Sequence, residues 1–253
     1  MKNFLLVNVI AIMLFSSLGL EAQTIVNSKK IREYSIDFYD SSRQRLVPVA
    51  IYSPTMTTGK QVIIFNHGYG ENKGDSYKQY THITRQLASE DYFVISIQHE
   101  LPTDEPLAME GNIYKNRLPN WERGVANILF VIEEFKKLKP ELNWSKMTVI
   151  GHSNGGDIAM MFAGKYPSML NKAISLDNRR MPLPLASSPR IYSLRSSDYP
   201  ADKGVLPSQK DQNLYGIKII DLDIKHSEMD DDASEEQSKI INDYLLLFLK
   251  ENR

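Results

Sequence analysis

The sequence contains no cysteine. This excludes disulfide staples, a thiolate nucleophile and a lipidated N-terminal cysteine, although an exported protein can do without disulfides. Charge of one sign is lacking too: 30 Lys and Arg face 31 Asp and Glu, a formal net charge of −1. There is no basic stripe to hold nucleic acid and no acidic tail to meet a charged partner. Histidine is scarce, with five in the chain, so candidates for a general base are few. Internal repeats, low-complexity tracts and linker-like stretches are missing. Beyond residue 22 no apolar run is long enough to cross a bilayer. What remains is a chain of 253 residues, 42% hydrophobic and 24% charged, sized for one substantial globular domain over residues 23–253.

Residues 1–22 read differently from the rest. Lys2 precedes an apolar run from Phe4 to Phe15, interrupted by Asn8, and Ser16, Ser17 and Gly19 lead to Leu20-Glu21-Ala22. This order of basic, apolar and small-residue regions is that of a secretory signal peptide cleaved near Ala22. An uncleaved anchor helix is the rival reading. Cleavage implies a protein that is exported, periplasmic or secreted, with no stable membrane association afterwards.

The next segment alternates, with Tyr34, Ile36 and Phe38 against Ser35, Asp37 and Tyr39. A turn at Asp40-Ser41-Ser42 leads into Arg45–Tyr52, so an antiparallel hairpin is expected, with Pro48 best suited to an edge. From residue 61 short apolar runs alternate with helical patterns. Strands are expected at 62–65, 92–97, 147–150, 173–176, 190–194 and 217–222. Helices are expected near 76–90, through Val125, Ile128, Leu129, Ile132 and Phe135, behind Ser153, and after the capping box Ser234-Glu235-Glu236-Gln237. Such alternation with near-continuous apolar strands predicts an α/β fold. Its central sheet should be mostly parallel, with an N-terminal antiparallel hairpin and helices on both faces. Ligand sites in such sheets gather beyond the carboxyl ends of the strands.

The candidate site residues lie at those ends. Met147–Ile150 breaks at Gly151-His152-Ser153-Asn154-Gly155-Gly156 and then turns helical, the G-x-S-x-G pattern in its strand–turn–helix setting. A tight turn there would expose the Ser153 hydroxyl, strain its backbone and aim helix amides at the site. His226 follows the last strand and is the candidate base; His99, after the 92–97 strand, is its competitor. A carboxylate must hold the imidazole, and position ranks Asp198 first, ahead of Asp202 and Asp177. Asn66-His67-Gly68-Tyr69-Gly70 follows a buried strand. The backbone N–H groups of Tyr69 and Asn154 are the candidate oxyanion hole, where losing one donor typically costs about 2.7–4 kcal/mol.

On these residues, from about 34 to the C-terminus, the chain resembles the α/β-hydrolase superfamily, whose Ser…Asp…His order it shares. It most resembles compact secreted esterases of dienelactone-hydrolase-like or polyester-hydrolase-like type, with Ser153 standing where dienelactone hydrolases carry cysteine. The resemblance implies a serine hydrolase that cleaves carboxylic esters of small molecules by an acyl-enzyme route, with no metal or organic cofactor and no nucleic acid. A peptidase, an acyltransferase or a non-catalytic binding protein would use the same residues differently. The short stretch between Leu176 and Arg190 leaves no room for a helical lid, so an open cleft is expected unless residues 101–120 cover it. Met109, Ile113, Tyr114, Leu118 and Trp121 there read equally as substrate wall or as loop packing.

Overall fold

A computed structural model describes residues 31–56 and 58–251; the leader-like segment 1–22 lies outside them. Eight strands form one sheet: β1 (Ile31–Asp40), β2 (Arg45–Pro54), β3 (Gln61–Asn66), β4 (Phe93–Ile97), β5 (Asn143–His152), β6 (Leu170–Leu176), β7 (Arg190–Arg195) and β8 (Lys218–Asp221). Their order across the sheet is β1-β2-β4-β3-β5-β6-β7-β8. β2 pairs antiparallel with both β1 and β4, and every later pairing is parallel. The expected hairpin is therefore present, but β2 is interior rather than an edge. Pro48 escapes the conflict by lying just before the first β2–β4 pair, Val49 with Ile97, and its carbonyl accepts from the Gln98 N–H at 2.9 Å.

The helices are α1 (Thr81–Ser89), α2 (Ile113–Leu138), α3 (Ser153–Lys165), α4 (Gln209–Tyr215) and α5 (Glu235–Lys250). Period-two alternation of the strands divides the core between two faces. Val62, Ile64 and Val149 face a layer made with Val125, Ile128 and Ile132 of α2 and Ile158 and Phe162 of α3. Ile63, Phe65 and Ile150 face the opposite layer, made with Ile83 and Leu87 of α1 and Ile241, Leu245 and Phe248 of α5. Each fully buried aliphatic or aromatic side chain contributes roughly 1.5–3 kcal/mol relative to exposure, and both layers hold many of them.

Three local differences from the sequence expectation have plain causes. The first helix is split, with a 3-10 turn at Ser76–Lys78 before α1. α2 begins at Ile113, well before its apolar stripe, because the Asn112 side chain accepts from the Lys115 N–H and caps it. α4 was not expected; Ser208 caps its start and Gly216, at φ 68°, ends it in the left-handed conformation. The expected capping box of α5 is present, with the Gln237 N–H donating to Ser234 Oγ at 3.2 Å and the Ser234 N–H donating to Gln237 Oε1 at 2.8 Å. Among the described residues no helix is long and apolar enough to cross a membrane, and no helix stands between β6 and β7.

Candidate active site

β5 runs straight into α3, and Ser153 stands at the join with φ 53°, the left-handed region that a side chain rarely occupies. Small neighbours make this turn possible. A Cβ on Gly151 would lie 2.1 Å from the Gly155 carbonyl oxygen, and one on Gly155 would lie 2.3 Å from those of both Asn66 and His67. These backbone approaches leave no way to accommodate a methyl group. They also seat the start of α3 directly on the loop that follows β3.

His226 opens a 3-10 turn beyond β8, and its ring reaches back over the serine. Nε2 lies 2.9 Å from Ser153 Oγ, and Nδ1 lies 2.5 Å from Asp177 Oδ2. A carboxylate can only accept, so Nδ1 carries the proton and Nε2 is left to accept from the serine hydroxyl. This is the alignment of nucleophile, base and orienting acid that acyl transfer needs.

The carboxylate that meets the imidazole is not the one expected. Asp198 Oδ1 accepts from the backbone N–H of His226 at 2.8 Å. It holds the histidine's main chain and does not meet the imidazole. Asp202 pairs with Arg180 at 3.3 Å. Asp177, ranked last of the three, takes the place on Nδ1 because of where β6 lies. That strand adjoins β5, with Leu176 in register with His152, so the next residue stands beside the nucleophile turn. Asp198 is carried outward by three further residues past the end of β7.

Asp177 is fully buried, with φ 55°. Its Oδ1 accepts from the Ser196 N–H at 3.0 Å and faces Arg195 Nη2 at 2.8 Å, while Oδ2 also accepts from Ser196 Oγ at 2.6 Å. Burial alone would raise its carboxyl pKa. The hydrogen bonds from His226 and Ser196 and the Arg195 guanidinium more than offset that and hold it below the usual carboxylate range. An ionised, oriented acid results. Sequence reading passed over Arg195 and Ser196 altogether. The legible signal for Asp177 was its position immediately after the apolar strand Ala173-Ile174-Ser175-Leu176.

Three of the other histidines are engaged elsewhere. His99, the competitor as base, is buried and directs Nε2 to Asn66 Oδ1 at 2.8 Å, and burial together with nearby arginine charges holds it well below the ordinary histidine pKa. His152 lies beside His226, with ring centroids 4.7 Å apart. Its Nδ1 is 2.7 Å from the Tyr80 hydroxyl, which in turn accepts from the Gly68 N–H at 3.0 Å. Burial and the neighbouring imidazole push His152 down to about 3, so it stays neutral. His67 Nδ1 donates to the Gly68 carbonyl at 2.6 Å.

The loop that carries one candidate oxyanion donor lies at this turn. Gly68 lies against the nucleophile, since a Cβ there would be 3.4 Å from Ser153 Cβ. Its own N–H is occupied by Tyr80, which leaves the next amide, Tyr69, as the loop's candidate donor. Asn154 stands in the first turn of α3, where amides have no acceptor within the helix. The Tyr69 hydroxyl accepts from the Leu107 N–H at 3.1 Å and ties down the irregular 101–112 segment. Met109 is 62% exposed, whereas Trp121 is fully buried and so forms no part of an exposed wall. On the other rim the Tyr199 ring lies 4.5 Å from that of His226 and carries the Arg179 guanidinium at 3.4 Å from its centroid. Among the described residues no three His, Asp or Glu side chains come together as a metal site.

Residues 61–218 match the family model described as alpha/beta hydrolase fold. The serine hydrolase-like protein of Homo sapiens is 30% identical over 90 residues, which is 34% of this chain and 43% of that protein. The chain spans less than half the length of the curated relatives it matches. Among solved structures, esterase Est22 superposes with a TM-score of 0.67 at 11% identity, over 89% of this chain and 83% of its own. A Rhizomucor miehei esterase gives 0.60 at 14% identity, over 87% and 83%. Likeness at that level of identity speaks for the fold.

Proposed function

The chain belongs to the α/β-hydrolase family, and from that premise we propose that it is a serine hydrolase that cleaves carboxylic esters through an acyl-enzyme. The observation that carries this reading is the continuous line of contacts from Ser153 Oγ to His226 Nε2, and from His226 Nδ1 to Asp177. As His226 takes its proton, Ser153 attacks the acyl carbon and the carbonyl π electrons move onto oxygen. The N–H groups of Tyr69 and Asn154 stabilise that oxyanion. Collapse breaks the ester C–O bond, and the leaving alcohol takes the proton from His226. A water molecule then gives its proton to His226 and attacks the acyl carbon. The second collapse returns the proton to Ser153 and releases the acid.

Asp177 replaces the expected Asp198 as the residue that fixes the tautomer and stabilises the imidazolium. Esterase neighbours support an ester substrate, and the absence of a helix between β6 and β7 supports an open cleft for small molecules. The proposal includes the narrower likeness to compact dienelactone-hydrolase-like and polyester-hydrolase-like esterases, and export directed by residues 1–22. The decisive experiment compares wild type with Ser153→Ala on a short-chain p-nitrophenyl ester and on a fluorophosphonate label. Hydrolysis should fall by about a million-fold, to the level left by binding and oxyanion contacts, and labelling should vanish. Full turnover by the alanine variant would refute the assignment.

A further inference from the structure

The two proposed oxyanion amides sit on separate pieces of chain, Tyr69 on the loop after β3 and Asn154 on the first turn of α3. A donor misplaced by a fraction of an ångström loses much of its value, so their relative position needs its own support. The structure provides a buried polar cluster behind them. Glu100, three residues past the end of β4, is 1% exposed, and Asn154 is 2% exposed. The Asn154 side chain spends both of its N–H donors and an oxygen lone pair on this cluster. Its Nδ2 donates to Glu100 Oε1 and to Asn120 Oδ1, each at 3.0 Å, and its Oδ1 accepts from Trp121 Nε1 at 2.8 Å.

This set of partners admits one orientation of the Asn154 amide. An indole N–H only donates and a carboxylate only accepts, so exchanging O and N would break both contacts. The other Glu100 oxygen, Oε2, has no hydrogen-bond partner and lies 3.7 Å from His67 Nε2. That nitrogen accepts from the His99 N–H at 3.0 Å, and His67 Nδ1 grips the carbonyl of Gly68, next to Tyr69. Glu100 thus fastens the helix turn that bears one amide, while His67 fastens the loop that bears the other. A buried carboxyl oxygen without a donor is costly for folding alone, because desolvation goes uncompensated.

We propose that Glu100 and Trp121 are positioning residues that act through Asn154 to hold its amide in line with that of Tyr69. This rests on the esterase reading above. The experiment measures kcat and KM on a p-nitrophenyl ester for wild type, Trp121→Phe, Glu100→Ala and Glu100→Gln. It adds the affinity of each for two probes: a trifluoromethyl ketone, whose carbonyl carbon takes the Ser153 oxygen while its own oxygen becomes the anion, and the corresponding alcohol, which forms no adduct. Trp121→Phe keeps an aromatic six-membered ring and removes the N–H with the rest of the indole. It should lower kcat by about tenfold to a hundredfold, somewhat less than losing a whole donor, with KM within about twofold. Ketone affinity should fall in parallel while alcohol binding holds, and Glu100→Gln should recover part of what Glu100→Ala loses. Should Glu100→Ala fail to fold, Trp121→Phe decides alone. Folded variants with wild-type kcat and ketone affinity, or with equal losses for ketone and alcohol, overturn the proposal and leave the esterase intact. A wild type that neither turns over the ester nor binds the ketone overturns the esterase reading itself.

Discussion

Asp177 and Asp198 both reach His226, one from the end of β6 and one from the loop past β7, yet they meet different parts of it. Asp177 is fully buried, ringed by donors from Ser196 and by the Arg195 guanidinium, and it touches the imidazole. Asp198 is exposed and takes the main-chain N–H of the same residue. Two carboxylates, each just beyond a strand, therefore meet His226 in different ways. Burial in a ring of donors produces an acid that stays ionised and fixed. A place on the outer loop produces a tether for the backbone.

The sharpest break in this comparison is Asp177→Asn. An amide there can donate to Nδ1 and trap the wrong tautomer, so kcat should fall by about 10⁴-fold while the fold survives, measured by steady-state ester hydrolysis beside circular dichroism. Next comes Arg195→Met, which strips the buried cation from Asp177. Breaking a buried ion pair by removing one partner should cost about 3–5 kcal/mol in urea unfolding. Asp177 has a depressed folded-state pKa, so its contribution is present above the ordinary carboxylate range and is lost as pH falls through the lowered value. The gap between the variant and wild type should accordingly narrow on acidification.

A third acid sharpens the contrast. Asp157 is as buried as Asp177 but has backbone amides of Arg180 and Met181 as its chief partners, at 2.9 and 2.8 Å, and burial pushes it up to about 6. A raised acid binds more protons folded than unfolded, so wild type loses stability as pH rises from about 4 to about 6. Over that window Asp157→Asn should gain on wild type by up to about 3 kcal/mol, near 1.4 per pKa unit, read from paired unfolding curves; a gap that does not change with pH would count against it. The smallest effect belongs to Asp198→Asn. Its side-chain oxygen still accepts from the His226 N–H, so kcat/KM should stay within about tenfold of wild type. If this variant instead proved worse than Asp177→Asn, the two roles would have to be exchanged.

Much of the molecule was legible as a string. The alternation of apolar runs with helical stripes located the strands from β3 onward, and the hairpin followed from the two-residue period of Tyr34, Ile36 and Phe38. Gly151, Gly155 and Gly156 around Ser153 announced a turn that tolerates no Cβ, and the strained φ of Ser153 matches that reading. The interior place of β2 was not legible, because crossing order depends on which strands pair and not on any one strand's residues. The short helix α4 was hidden for another reason: it buries no residue and so shows no apolar stripe.

Local chemistry in the sequence by itself determined the glycine-flanked turn at Ser153, the alternating α/β pattern and the small set of histidines, since each depends on neighbouring residues and their periodicity. Only the tertiary structure decided which carboxylate serves His226 and which side chains fasten Asn154. Those choices depend on strand adjacency and burial. Asp177 prevails because β6 lies against β5 and its neighbourhood both excludes water and supplies compensating donors.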